Sequence, residues 1–128
     1  TGGKEKRTYL DLFSADHDSF LMAMGDACKT ITDYYKDKIV YINAMVNMSV
    51  DCDCCAKAKD PCMQDIGILA STDPVALDQA CIDLVYNSTD PGRDELVERI
   101  ESKNGLLTIK ASEEQGAGSR EYELINID

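Results

Sequence analysis

Four cysteines fall within residues 52–62: Cys52, Cys54, Cys55 and, just after Pro61, Cys62. Thiolates in that number are soft ligands that suit zinc or an iron-sulfur cluster. In extended backbone alternate residues leave the same side, so Cys52 and Cys54 share one face while Asp51, Asp53 and Cys55 take the other. A turn at Cys55 would add a third sulfur, and a return of the chain after Pro61 would bring in Cys62. The spacing, CxCC followed by six residues and a further Cys, matches neither the paired CxxC of zinc ribbons nor the CxxCxxCxxxC of bacterial ferredoxins. Asp51, Asp53 and Asp60 add negative charge that opposes thiolates until a cation is bound. Three readings of the segment stand side by side: metal or cluster ligation, a redox or disulfide role, and an acidic surface loop with incidental cysteines.

Other reactive residue types have simpler expected roles. Cys28 and Cys81 lie on the apolar faces of expected helices, where a free Cys behaves as a small hydrophobe. His17, the single histidine, is flanked by Asp16 and Asp18 at a helix start and reads as a solvated helix terminus, since no Cys partner for a catalytic dyad is evident. Asp73 reads as a helix cap and Asp78 as a solvated helix position. No Gly-rich phosphate loop, GxSxG elbow or HExxH occurs, so the common nucleotide and hydrolase signatures are missing.

The elements that must position these residues follow from periodicity. Phe20, Met24, Ala27, Cys28, Ile31 and Tyr35 recur at three and four, which predicts an amphipathic helix from Asp16 to about Lys36 with that face inward. Ile39–Met45 and Asp65–Ser71 are short apolar runs of the kind expected in strands covered on both sides, and the Cys-rich segment between them has Pro61 and little periodicity. Asp73-Pro74 then opens a helix, with Leu77, Cys81, Leu84 and Val85 inward. A helix over Arg93–Lys103 stops at Asn104-Gly105, a short one covers Leu107–Gln115, and Arg120–Asn126 alternates as a terminal or edge strand. The expected fold class is α/β: a small, mainly parallel or mixed sheet flanked by helices, with a Cys-rich loop between two core strands. The turn at Ser71–Pro74 lies at a strand's carboxyl end, where open α/β sheets bind ligands.

At 128 residues and 44% hydrophobic content the chain suits one domain, expected over residues 16–128 behind an N-terminal segment of residues 1–15. Thr1 stands where an initiator Met would, which suggests a piece of something longer. A net charge of −11 argues against binding to phosphate backbones, so nucleic acid is not an expected partner. The apolar runs fall far short of the roughly 20 residues of a membrane span. Long helical periods alongside six cysteines fit a reduced, cytoplasmic chain better than a secreted disulfide scaffold. Nothing in the sequence specifies the oligomeric state.

The strings YINAMVNMSVDCDC and DIGILASTDPVALDQACIDLVYN, followed by LVERIESKNG and GSREYELINID, resemble the C-terminal part of the DUF362 family, whose members are described as uncharacterised iron-sulfur center proteins. The likeness runs from about His17 to Asp128. It implies an α/β domain forming the tail of a longer protein, some relatives carrying ferredoxin-type CxxCxxCxxxC clusters in the preceding region. The remainder of its own polypeptide, with such clusters, is then the expected partner. The family pattern centres on Cys52 and Cys54, with Cys55 and Cys62 as additions here. The expected function is that of an iron-sulfur-associated domain in a redox or metal-handling context. Cys52 and Cys54 are its favoured ligands for a cluster or for zinc, and the resemblance fits equally an iron-sulfur label that belongs to the ferredoxin-like segment. Alternatives are a thiol-disulfide oxidoreductase using the CxC pair and a structural or interaction domain without chemistry.

Overall fold

The computed structural model describes residues 16–52 and 55–128. The expectation of a separate segment over residues 1–15 therefore lies outside the described residues. In chain order the elements are α1 (His17–Tyr35), β1 (Tyr41–Met45), β2 (Gly67–Ser71), α2 (Pro74–Tyr86), α3 (Arg93–Ser102) and α4 (Leu106–Glu114). No described helix is long and apolar enough to cross a membrane.

The two strands pair antiparallel, Tyr41 opposite Ser71 and Met45 opposite Gly67. This corrects the expected mainly parallel or mixed sheet for the described strands. A parallel pair needs a crossover, usually a helix, that carries the chain back to the starting end of the first strand. The described residues between β1 and β2 form neither helix nor strand, and the chain turns round and runs back alongside β1. One face of the ribbon packs on α2. The other presents Ile42, Ala44, Ile68 and Ala70, with Ile42 66% and Ile68 73% exposed, so only one of the two faces expected to be covered is covered among the described residues.

Helix α2 is the hub. Asp73 caps it by accepting from the Val75 and Ala76 amides at 2.8 and 3.0 Å, and Pro74 occupies the first turn, where its missing N–H costs nothing. Its Val85 joins Met45 and Met63 in one buried cluster that also takes in Leu69, Leu84 and Leu96. Its Val75 joins Ile109 and Ala117 in a second, against Cys28 and Ile82.

Helix α1 packs on α4 through a different stripe from the one periodicity selects. Leu21 and Gly25 are buried, while Phe20, Met24, Ile31 and Tyr35 remain 43–48% exposed. Gly25 explains the choice. A Cβ there would lie 2.9 Å from the Ser112 nitrogen and 3.1 Å from the Ala111 Cβ, so the two backbones approach along the small residue and the bulky stripe is turned aside.

The expected terminal strand over Arg120–Asn126 is not a strand. Side-chain ties hold this segment instead of a ladder: the Ser119 amide donates to Asp73 Oδ2 at 2.9 Å, the Arg120 amide to Glu113 Oε1 at 2.8 Å and Arg120 Nε to Glu113 Oε2 at 2.7 Å. Further on, the Tyr122 hydroxyl donates to Asp83 at 2.8 Å. The Arg120 amide, followed by its guanidinium, pulls the Glu113 carboxyl below its ordinary value. A depressed carboxyl stabilises the folded tail above its unfolded pKa and loses that contribution as pH falls through the folded one. Acid should therefore release the tail before the core unfolds, and Glu113→Gln should abolish that pH dependence. Amide NMR shifts of residues 119–122 across an acid titration would show it; tail signals that move only with global unfolding would contradict it.

Candidate functional site

The Cys-rich segment leaves the carboxyl end of β1 and enters the amino end of β2. Antiparallel pairing places that end of the ribbon opposite the Ser71–Pro74 turn, about 13 Å away at roughly 3.3 Å per residue. The loop and the strand-to-helix turn therefore do not share one ligand-binding edge, as a parallel sheet would have required.

A polar base holds the loop. Ser49 Oγ donates to the Lys59 carbonyl at 2.9 Å, and the Lys59 amide donates to Asp51 Oδ2 at 3.1 Å. Residues 49–51 and Lys59 thus close the segment that carries the cysteines. The base is fixed to α3, with Arg99 3.2 Å from the other Asp51 oxygen and Lys59 3.8 Å from Glu95. Asp51 is consequently engaged as a clamp, and its charge is answered by the Arg99 guanidinium. Farther along, Cys62 is tied back to the segment that follows β1 by its amide, which donates to the Met48 carbonyl at 2.9 Å.

Within the loop the Cys55 amide donates to the Cys52 carbonyl at 3.0 Å, the bond that closes a four-residue turn. Both are exposed. Cys54, with Asp53, lies outside the described residues. Cys62 is half-buried against Met45, Met63 and Val85, its Sγ 3.6 Å from the Met48 carbonyl. Among the described residues no three His, Cys, Asp or Glu side chains gather as a metal-binding group, so Cys52, Cys55 and Cys62 are not brought together as one set.

The remaining candidates are placed by packing. Cys28 and Cys81 are half-buried beside the two core clusters. Burial is the chief cause that raises both thiol pKa values, against a lowering hydrogen bond from Ser112 for Cys28 and from Asn43 for Cys81. Raised thiols are poor nucleophiles at neutral pH. The His17 Nε2 donates to the Lys103 carbonyl at 2.7 Å and is thus engaged at the start of α1 with backbone. Asp78 does more than face solvent, since the Asn43 amide donates to it at 2.8 Å and joins β1 to α2.

At the far end of the ribbon a cleft of about 440 Å³ opens beside Thr32, Lys36, Tyr41, Thr72 and Asp73. Both carboxylate oxygens of Asp73 are already taken by backbone amides. The sequence reading missed this second role of Asp73; the signal was Gly118-Ser119, because a Cβ at Gly118 would fall on the Asp73 carboxylate.

The model of a domain of unknown function, DUF362, matches residues 2–83, more than half of the 128-residue chain. The chain belongs to the DUF362 family. The match takes in α1, both strands and α2 as far as Asp83, so the thiol-bearing loop of this DUF362 domain lies wholly inside it. No curated protein and no solved structure matches the chain.

Proposed function

We propose that this DUF362 domain works in a redox or metal-handling context, and that its loop presents Cys52 and Cys54, with Cys55 as a third thiolate, to a soft metal ion or an iron-sulfur cluster. The observation that carries the reading is the Cys52–Cys55 turn standing on a loop base clamped by Asp51, Lys59 and Arg99. Exposed thiols on a tethered turn can converge on one ion, because the base has already met part of the cost of ordering the loop. Three sulfurs leave room for a ligand from elsewhere, and the remainder of a longer polypeptide, including one with ferredoxin-type clusters, is the proposed source. Cys62 becomes the weakest of the four candidates because its side chain packs with the core. Zinc and an iron-sulfur cluster both suit such a donor set, and a reduced cytoplasmic compartment would keep the thiols available.

Cobalt(II) titration tests the donor set, since thiolate coordination gives intense sulfur-to-metal absorption. Wild type and Cys62→Ser should both develop the band, and Cys52→Ser/Cys54→Ser should lose it. Equal bands in wild type and the double variant would remove these cysteines from the ligand set.

The same turn supports a second reading, a thiol-disulfide couple. Cys52 and Cys54 form the CxC pair, Cys55 stands at CxxC spacing from Cys52, and neighbouring thiols exchange through a mixed disulfide. A metal-free protein showing a reversible two-electron thiol titration that vanishes in Cys52→Ser would favour it over ligation.

A further inference from the structure

We propose that Asp90 and Arg99 are positioning residues for the thiol-bearing loop: each fastens one of its limbs to α3 or to the turn that opens α3, and together they set how tightly the loop holds a metal. The inference rests on the thiolate reading of function. It adds two residues that carry no sulfur and lie far along the chain from the cysteines.

The outgoing limb is fixed one residue before Cys52. Asp51 engages both carboxylate oxygens there, Oδ1 with the Arg99 guanidinium at 3.2 Å and Oδ2 with the Lys59 amide at 3.1 Å. Its own amide donates to Ser49 Oγ at 3.2 Å, and that hydroxyl donates to the Lys59 carbonyl at 2.9 Å. These bonds close a small ring at the foot of the loop, and Arg99 ties the ring to α3. The Asp51 side chain is 20% exposed, so water and salt screen the pair less than they would a fully exposed one.

The return limb is fixed two residues after Cys62. The Gln64 amide donates to Asp90 Oδ2 at 3.1 Å, while Asp90 Oδ1 accepts from the Gly92 amide at 2.7 Å. The Asp90 amide in turn donates to Ser88 Oγ at 3.1 Å, and its carbonyl accepts from the Arg93 amide at 3.1 Å. One carboxylate therefore joins the start of α3 to the limb that descends from Cys62. Gly92, with no side chain, lets the Cys62 carbonyl lie against that turn.

Both anchors stand on one packed body. Leu96, Val97 and Ile100 hold α3 against the cluster of Met45, Met63 and Val85, so core packing sets the separation of the two limbs before any ion binds. A base ordered in advance lowers the entropy that ligation must overcome. Groups that orient ligands from outside the coordination sphere typically carry about 10–100-fold in metal affinity. The family match ends at residue 83, before either anchor, so the loop it contains is held by residues it does not reach.

Cobalt(II) titration of the whole reduced chain tests the assignment. Arg99→Met and Asp90→Ala should each bind cobalt at least about tenfold more weakly than wild type, with the same sulfur-to-metal band at saturation, and Arg99→Lys should recover part of the loss. In the metal-free proteins, hydrogen exchange should show the Lys59 amide losing protection in Arg99→Met and the Cys62 amide losing it in Asp90→Ala. Neither amide bonds to the substituted residue, so the loss reports the limb and not the deleted contact. Wild-type affinity in both variants would overturn the proposal and leave the thiolate reading standing. A changed band at saturation would also overturn it, because the ligand set itself would then have altered, and so would full protection of both amides. A wild type without the band would overturn the thiolate reading and the affinity claim with it.

Discussion

Asp73→Ala should destabilise the domain by about 3 kcal/mol. Removing the cap of α2 costs about 1 kcal/mol, and leaving the half-buried Ser119 amide without its acceptor costs roughly 1–2 more. The same carboxylate serves both, so one substitution frees the start of the central helix and the root of the C-terminal segment together. Asp73→Asn keeps one acceptor oxygen and should lose about half as much. Urea unfolding of the three proteins measures the effect. A loss below about 0.5 kcal/mol for Asp73→Ala, the ordinary range of surface changes, would show that the cap and the tie are not energetically linked to the fold.

Gly92→Ala should cost a similar amount, about 3 kcal/mol, at the upper end of what overpacking produces. Gly92 opens α3 at an ordinary negative φ, so its reason is space: an added Cβ would fall on the Cys62 carbonyl oxygen. That neighbour is backbone and has no rotamer by which to yield. The clash would push the return of the Cys-rich segment away from α3, and Cys62 should then react faster with a thiol reagent. Gly105→Ala is the matched control. There the nearest atoms, the Ile100 carbonyl oxygen and Cγ2, stand at 3.3 and 3.5 Å, and the change should stay within about 1 kcal/mol. Equal stability of Gly92→Ala and Gly105→Ala would contradict the close approach.

Elements with strong local signals were legible in the sequence. Asp73-Pro74 marked the start of α2, Asn104-Gly105 marked the break after α3, and the two apolar runs gave β1 and β2 to within two residues. What pairing those strands adopt is not a local property. Ile42 and Ile68 are apolar enough for a parallel core strand, yet the chain between β1 and β2 simply turns back. The face of α1 was misjudged for a related reason: hydrophobic period favours Phe20, Met24 and Ile31, whereas the α4 contact is set by Gly25, whose contribution is an absence of side chain. At the candidate site the cysteines were visible, but the base that holds them was not, because the Asp51–Arg99 pair joins residues 48 positions apart. Cys55 gained standing from a backbone bond within the loop, and Cys62 lost it to core packing.

The most direct measurement is iron, acid-labile sulfide and zinc per chain after anaerobic purification, taken side by side for wild type and Cys52→Ser/Cys54→Ser. Thiolate ligation by the loop predicts a stoichiometric metal, or iron with sulfide, in the wild type and its loss in the double variant at unchanged secondary structure. Identical metal content in the two proteins would contradict it.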